Sequence, residues 1–590
     1  MDYKRVSSHE NININQNFLV SAGPGSGKTE FLVNHIHHII KESGKINTLR
    51  KVLAITYTNV AADNLSRRIG YTSGLTQVST IHSFLSEFIL LPYSWLLEGK
   101  YSLPKKLTIT PHQLASFSDF KELCQKYKCQ YMTYYDNIRD RISSSIYFKK
   151  LNDHYSLTID QKDTRVPNKR YPIKNDPKFF MEYKQSCWKN GIINYDDVLL
   201  LSLIILENNP FVAKLISNSF PFIFIDEFQD TSIIQAEIIS ILADNGSKVG
   251  VIGDENQSIY GFAHSSQETF RKFSLPKLNK YCININHRSS DPIIKLLNGI
   301  TENSGKDPQI LQNIPGPKPT IVVGEPRLVV NWFLKNHPQN SACSKMIISY
   351  SNDYIEQINP NYSAPSKKIK DNINKMRTDD RGRFIYSIIK SLKLASEGQI
   401  NASISSFFRS YEKTNADEKY VISKFYYAYN KINNYLNRDI STWFNEILLD
   451  KNIHEANSDN ISKIMKKITG RNKCFLGLKV KYKYLLSDVP LEGTNSEFRT
   501  IHQSKGDEAD AVLIMIDDTG KKRESNFSFL LNPSLSGSNE DDRVYYVAMS
   551  RARHELFFSI PSLNKNIRKQ IEATGLVKIQ DILDILNSEV

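Results

Sequence analysis

The sequence predicts an α/β protein whose parallel sheets carry a phosphate-binding loop. An apolar run, Phe18-Leu19-Val20, leads into Ala22-Gly23-Pro24-Gly25-Ser26-Gly27-Lys28-Thr29. A helical pattern follows at once, with Leu32, Ile36, Ile39 and Ile40 on one face, the spacing of a helix laid on a sheet. Two more short apolar runs, Phe222 to Ile225 and Val249 to Ile252, each end in an acidic cluster. Buried parallel strands look like this when their carboxyl ends face a ligand.

Each part of the first unit has a chemical reason. Gly23, Gly25 and Gly27 let the backbone curl so that its N–H groups face a polyphosphate, and the helix N-terminus adds its positive dipole end. Lys28 is placed to reach the β- and γ-phosphates, and the Thr29 hydroxyl to hold Mg²⁺. A nucleoside triphosphate is therefore the expected ligand. The competing explanation, a glycine-rich surface turn before a lysine, does not account for strand, loop and helix in register.

The acidic clusters extend the argument. In Asp226-Glu227-Phe228-Gln229-Asp230, Asp226 is expected in the Mg²⁺ shell and Glu227 as the group that orients and deprotonates the attacking water. Gly253-Asp254-Glu255-Asn256-Gln257 offers Gln257 as a polar sensor where the γ-phosphate leaves. Capping carboxylates at a solvated turn explain either cluster alone; their order after the phosphate loop favours hydrolysis. Two arginines, Arg288 in Asn286-His287-Arg288-Ser289 and Arg551 in Met549-Ser550-Arg551-Ala552-Arg553, are placed to neutralise charge gathering on the transferring phosphoryl group.

These residues resemble the UvrD/Rep/PcrA-type superfamily 1A DNA helicases, from about Asn17 to Ile560. The loop at Ala22 to Thr29 resembles motif I, and Thr56-Tyr57-Thr58-Asn59-Val60-Ala61-Ala62 resembles motif Ia. Ser79 to Phe84 resembles motif Ib, Asp226 to Thr231 motif II, Gly253 to Gly261 motif III, and Asn286 to Ser289 motif IV. Thr500-Ile501-His502-Gln503-Ser504-Lys505-Gly506-Asp507-Glu508 resembles motif V, and Tyr546 to Ala552 motif VI. The resemblance implies two RecA-like P-loop domains with parallel sheets, each interrupted by a mainly helical insertion. It implies that Lys28, Thr29, Asp226, Glu227, Gln257, Arg288 and Arg551 serve ATP hydrolysis, with ATP and Mg²⁺ as cofactors, and that Gly506 and Glu508 lie near the ribose and phosphates. It places Thr58, Asn59, His82, Tyr260, Phe262, Thr500 and His502 on a single-strand DNA track, where polar groups hold phosphates and rings stack on any base. Tyr57 and Phe84 serve equally well as core side chains.

The chain also departs from the family pattern. Ser7 stands where the upstream adenine-reading glutamine is expected. Motif III continues Phe262-Ala263-His264-Ser265 in place of Trp-Arg-Gly-Ala, and motif V carries Asp507 and Ala509 where an apolar and an aromatic residue are usual.

Composition agrees with a polyanion partner. The 590 residues hold 76 Lys+Arg against 62 Asp+Glu, a net charge of +14, which leaves acidic substrates and membrane surfaces open but, with the aromatics, favours nucleic acid. The opening Met-Asp-Tyr-Lys-Arg lacks a signal peptide's apolar stretch, and no run approaches the roughly 18 apolar residues of a spanning helix; a cytoplasmic protein without membrane association is expected. The cysteines are scattered, and the Cys124–Cys129 spacing fits no zinc pair.

Motif spacing gives the expected domains: a first core at 1–95 and 192–280 interrupted by an insertion at 96–191, and a second core at 281–365 and 491–590 interrupted by a reduced insertion at 366–490. The first insertion is basic and aromatic (Tyr127 to Tyr135, Lys149-Lys150, Lys169-Arg170-Tyr171, Phe179 to Lys184), which fits DNA contact or a solvated helical face. The second carries Lys466, Lys467, Lys479, Lys481 and Lys483 with the same ambiguity, and no fused nuclease domain is expected in the tail after Ile560.

Three functions are weighed. One is an ATP-driven translocase or helicase on single-stranded or tailed DNA, moving 3′ to 5′. Another is a DNA-end-sensing ATPase that works with a separate OLD-type nuclease subunit, by resemblance to the helicase partner of Gabija-type anti-phage defence. A P-loop protein-interaction switch without a DNA track is disfavoured by the motif Ia, Ib and III residues. The sequence leaves oligomeric state open.

Overall fold

The computed structural model describes residues 3–101, 103–110, 115–127, 146–151, 154–159, 176–259, 267–301, 307–338, 343–358, 372–373, 380–396, 400–411, 417–449, 481–483, 497–516, 527–535 and 540–588. The chain divides into two compact units. The first comprises Met1–Val323, Ser504–Phe558 and Ser562–Asp581, and the second Gly324–Gln503, Ser559–Pro561 and Ile582–Val590.

In the first unit, seven strands form one sheet in the order Lys4–Arg5, Leu278–Ile283, Asn17–Ala22, Lys248–Gly253, Phe222–Ile225, Val52–Thr56, Thr76–Thr80. Every neighbouring pair is parallel. Successive side chains of a strand point to opposite faces, and both faces are covered. Phe18, Val20, Ala54, Phe222 and Phe224 pack with Phe31, Leu32, Ile36 and Ile39 of the helix Lys28–Glu42. Leu19, Leu53, Ile223, Ile225, Val249 and Val251 face a larger cluster on the other side. Two buried faces explain why these strands read as unbroken apolar runs rather than alternating ones. The expected boundary at 280/281 falls inside the strand Leu278–Ile283, which pairs along its length with Asn17–Ala22; the first sheet therefore extends to Ile283.

In the chain between Thr76–Thr80 and Phe222–Ile225, Thr108–Ile109 pairs with Ile192–Ile193, and the antiparallel hairpin Ile146–Leu151/His154–Ile159 follows the helix Phe117–Lys126 and precedes the helix Pro177–Lys189. Neither expectation for Phe179 to Lys184 holds. Phe179, Phe180, Tyr183 and Lys184 are all buried, continuous with the larger core cluster, because the helix turns its aromatic side inward. Lys184 lies 2.9 Å from the equally buried Asp197 and over the ring of Phe148. Residues 128–135 and 169–171 lie outside the described residues.

The first unit also holds strands of a second sheet, in the order Ala509–Met515, Ala552–Ile560, Thr320–Val323, Lys578–Asp581, the last two parallel. In the second unit Lys345–Ser349 pairs in parallel with Phe498–Thr500. Its helices Asp380–Ser396, Ile400–Tyr411 and Glu418–Asn430 enclose a core that includes Ile385, Ile388, Leu392, Phe407, Phe425 and Trp443. The helix Glu418–Asn430 ends before Lys431, after which a short helical turn, Ile432–Tyr435, begins. Lys481 and Lys483 are exposed, while Lys466, Lys467 and Lys479 lie outside the described residues. The molecule is thus α/β, with parallel strands in two sheets, consistent with two RecA-like cores.

No single helix among the described residues is long and apolar enough to cross a membrane. The helices Tyr195–Asn208 and Pro210–Ser219 match that composition only together and bend by 106°; Val198, Leu201, Leu203, Ile205, Val212 and Ala213 are buried in the core.

Candidate nucleotide site and strand-facing residues

The phosphate loop leaves the carboxyl end of the strand Asn17–Ala22 and enters the helix Lys28–Glu42. Gly25 and Gly27 have φ of 69° and 83°, a left-handed backbone that costs other residues about 1 kcal/mol or more. Space is as demanding as conformation. A Cβ on Gly23 would meet Gln309 Nε2 at 2.2 Å, and one on Gly25 would meet Asn286 Oδ1 at 2.4 Å. Gln309 Nε2 donates to the Pro24 carbonyl at 2.9 Å, Asn286 Nδ2 donates to Gln309 Oε1 at 3.0 Å, and the His287 N–H donates to the Gly25 carbonyl at 2.8 Å. The loop is thus braced from outside. Within it, Lys28 Nζ donates to the carbonyls of Ala22 at 3.2 Å and Gly23 at 3.4 Å, and Ser26 Oγ donates to the Gly23 carbonyl at 2.7 Å.

Asp226 and Glu227 follow the strand Phe222–Ile225, which is separated from the loop's strand by Lys248–Gly253 alone. Glu227 has φ 54°, a left-handed conformation that is uncommon outside glycine and strained for a long side chain. Its N–H donates to Asp226 Oδ1 at 2.9 Å, and its carboxylate accepts from Gln229 Nε2. Burial and the neighbouring Glu227 push the Asp226 carboxyl up to about 7. Glu227 goes the other way: burial opposes ionisation, but Lys28, Lys505, the Gln229 amide and Arg551 together hold it below the usual range. The pair is split into one carboxyl that seeks positive charge and one that keeps its own, a common arrangement where acid and base roles diverge.

Gln257 sits at the end of the adjacent strand. Its Nε2 donates to Asp254 Oδ2 at 3.0 Å and its Oε1 accepts from Arg551 Nη2 at 3.2 Å. Arg551 is 2% exposed and its other N–H groups donate to the carbonyls of Val547 at 3.0 Å and Asp507 at 3.2 Å and to Ser550 Oγ at 2.9 Å. Burial and Arg288 lower its pKa to about 10, so it remains charged at neutral pH. Arg288 Nη1 donates to the Ser550 carbonyl at 3.0 Å, and its Nε lies against Glu508, which also accepts from Arg553. Glu508 is therefore engaged by two arginines. Gly506 has φ 92° with open space around it.

Sequence reasoning singled out neither Gln229 nor Lys505. Gln229 bridges the two acidic clusters, taking the Asp254 N–H at 2.9 Å on its Oε1. Lys505 is paired with the buried Asp230 and donates to the Gln257 carbonyl at 2.8 Å. Gln309 lies outside every motif, and no sequence signal points to it.

Of the strand-facing candidates, Thr58 caps the helix Asn59–Ile69 by accepting the Ala61 N–H at 3.1 Å; Thr58 and Asn59 are exposed. The His82 ring packs on Tyr195 with centroids 5.1 Å apart, and burial pulls its pKa down to about 4. All belong to the first unit. Tyr57 is exposed, whereas Phe84 is a buried core side chain. Thr500 and His502 belong to the second unit: Thr500 exchanges hydrogen bonds with Gln503, and His502 faces the ring of Tyr350. Tyr260 and Phe262 lie outside the described residues. Tyr57, His82, Tyr147, Lys149 and Tyr195 line a cavity of about 710 Å³ in the first unit that reaches Asp226, Glu227 and Asp230.

Comparison with known proteins places this geometry in a family. Residues 6–276 match the UvrD/REP helicase N-terminal domain and residues 327–562 the UvrD-like helicase C-terminal domain. The chain belongs to the UvrD/Rep-like superfamily 1A helicases. It is 27% identical over 293 residues to the ATP-dependent DNA helicase Rep of Buchnera aphidicola, an alignment covering 48% of this chain and 41% of that protein. It is 28% identical over 305 residues to DNA helicase II of Salmonella typhimurium, covering 49% and 38%. It is also 28% identical over 295 residues to Rep of Escherichia coli, covering 48% and 41%. The matched stretch spans about two fifths of the length of these relatives.

Proposed function

We propose that this chain hydrolyses ATP and couples the cycle to 3′-to-5′ movement along single-stranded DNA, unwinding tailed duplex as a helicase. The observation that carries the reading is the bond from Arg551 to Gln257 beside the ionised Glu227, which feels Lys28, Lys505 and Arg551 together. A triphosphate seated on the loop takes over Lys28 from the carbonyls of Ala22 and Gly23. Glu227 then accepts a proton from the attacking water, and Arg551 and Arg288 oppose the charge developing on the phosphoryl oxygens. Gln257, tied to Arg551, reports the departure of the γ-phosphate to the buried network around Asp254.

The residues present fit a hard divalent cation. Thr29 and Asp226 supply oxygen donors, and the raised Asp226 carboxyl marks a place short of positive charge. When bound, Mg²⁺ neutralises charge on the β- and γ-phosphate oxygens.

We assign the DNA track to Thr58, Asn59, His82, Tyr260, Phe262, Thr500 and His502, and take 96–191 and 366–490 as insertions into the two cores. The family membership and the net charge of +14 support this assignment. The test is ATP turnover with and without single-stranded DNA: a severalfold rise is expected, and a rate indifferent to DNA overturns the reading. Strand displacement on 3′-tailed duplex distinguishes a motor from an end-sensing ATPase.

A further inference from the structure

Residues of the hairpin Ile146–Leu151/His154–Ile159 line the 710 Å³ cavity together with the carboxyl ends of core strands at Ile55-Thr56 and Ile225-Asp226. Strand alternation divides the hairpin's residues. Ile146 and Phe148 are buried in the core, and Tyr147 and Lys149 share the other side. A ring beside a cation on one strand face is a surface suited to a base and its phosphate.

What fixes this hairpin is a small polar cluster. Lys150 Nζ and Tyr155 Oη, on opposite strands and paired in register, both donate to the carboxylate of Glu237, one to each oxygen. Lys150 also lies 5.9 Å from the centre of the Tyr155 ring. The ion pair is sheltered, with side chains 31% and 27% exposed, so solvent screens it less than a surface pair. Glu237 stands on the helix Ile233–Asp244, whose capping residue Ser232 is two positions beyond Asp230. One helix thus starts beside the acidic cluster and grips the wall of the cavity one turn later.

We propose that Glu237 is a positioning residue. By receiving Lys150 and Tyr155 it seats the hairpin against the helix that follows motif II, so that Tyr147 and Lys149 meet a single strand and strand binding is felt at Glu227. This rests on the proposed function above.

The test measures ATP turnover of the full chain against oligothymidylate concentration. Glu237→Gln is expected to raise the half-maximal DNA concentration about fivefold or more while strand-free turnover stays within about twofold, since Glu237 touches neither the loop nor the acidic pair. The exchanged pair Lys150→Glu with Glu237→Lys is expected to recover most of that loss. Should Glu237→Gln not fold, Tyr155→Phe removes a single donor and is expected to shift the same constant in the same direction. An unchanged half-maximal concentration in a folded variant, or a parallel drop in strand-free turnover, overturns the proposal. A wild-type chain indifferent to DNA would instead overturn the functional reading on which it stands.

Discussion

Nη2 of Arg551 lies 3.2 Å from Oε1 of Gln257, whose amide nitrogen donates to Asp254 at 3.0 Å. The arginine and the glutamine therefore act as one unit, and residues that act as a unit give non-additive losses. Arg551→Ala is expected to lower kcat by on the order of 10³-fold and Gln257→Ala by about 10²-fold. The double variant should resemble Arg551→Ala alone. A loss equal to the product of the two single effects would mean that the residues work independently.

Glu227 combines a mechanistic role with a strained backbone. At φ 54° a side chain with a Cβ is disfavoured by about 1 kcal/mol, whereas glycine is not. Glu227→Ala and Glu227→Gly remove the same carboxylate and differ only in that Cβ. Both should stop turnover while still binding nucleotide, yet Glu227→Gly should be more stable than Glu227→Ala by about 1 kcal/mol in urea unfolding. Equal stabilities would show that the conformation carries no strain.

The sequence carries strong local signals and weak long-range ones. Phe222–Ile225 is a strand at the expected residues, the run Val249 to Ile252 lies within the strand Lys248–Gly253, and Leu32, Ile36 and Ile39 are the buried face of their helix. Short apolar runs ending in acids betray such strands because both sheet faces are buried. By contrast, Gln309 reaches Pro24 across 285 positions and Lys505 reaches Asp230 across 275, and no local pattern encodes such partners. Lys184 misled for another reason. Composition marks it as part of a basic, solvated stretch, while its partner Asp197 sits on a separate helix.

That partner makes a prediction of its own. Lys184 and Asp197 are 2% and 0% exposed and lie 2.9 Å apart, and Asp197 also takes the Asn194 N–H at 2.9 Å. Removing one member of such a pair strands a buried charge. Lys184→Ala should destabilise the first unit by about 3 kcal/mol or more, while Lys184→Met with Asp197→Asn, which keeps an acceptor for the Asn194 N–H, should recover most of the loss. The comparison is made by urea unfolding followed through tryptophan fluorescence, since Trp188 is buried in the same core. A Lys184→Ala variant as stable as the parent would remove the ion pair from the account of how the insertion is held.

His35 gives the stability of the first unit a pH dependence with a definite sign. Its ring is 2% exposed, wedged among Phe18, Phe31 and Phe224 at centroid distances of 5.1, 5.9 and 5.4 Å, and stacked nearly parallel on Phe31. Burial, with a smaller push from His38, lowers its pKa from 6.5 to about 3. The folded state therefore holds a neutral imidazole through the range in which the unfolded chain takes up a proton. The contribution is complete above about pH 6.5, declines as the pH falls, and is exhausted near the folded value. Between pH 6.5 and pH 5 the loss from this one group amounts to about 2 kcal/mol. His35→Phe keeps a ring in the aromatic cluster and removes the titration. Unfolding measured at both pH values should show a difference smaller by about that amount in the variant, and an identical pH slope in the two proteins would mean that His35 is solvated enough to titrate normally.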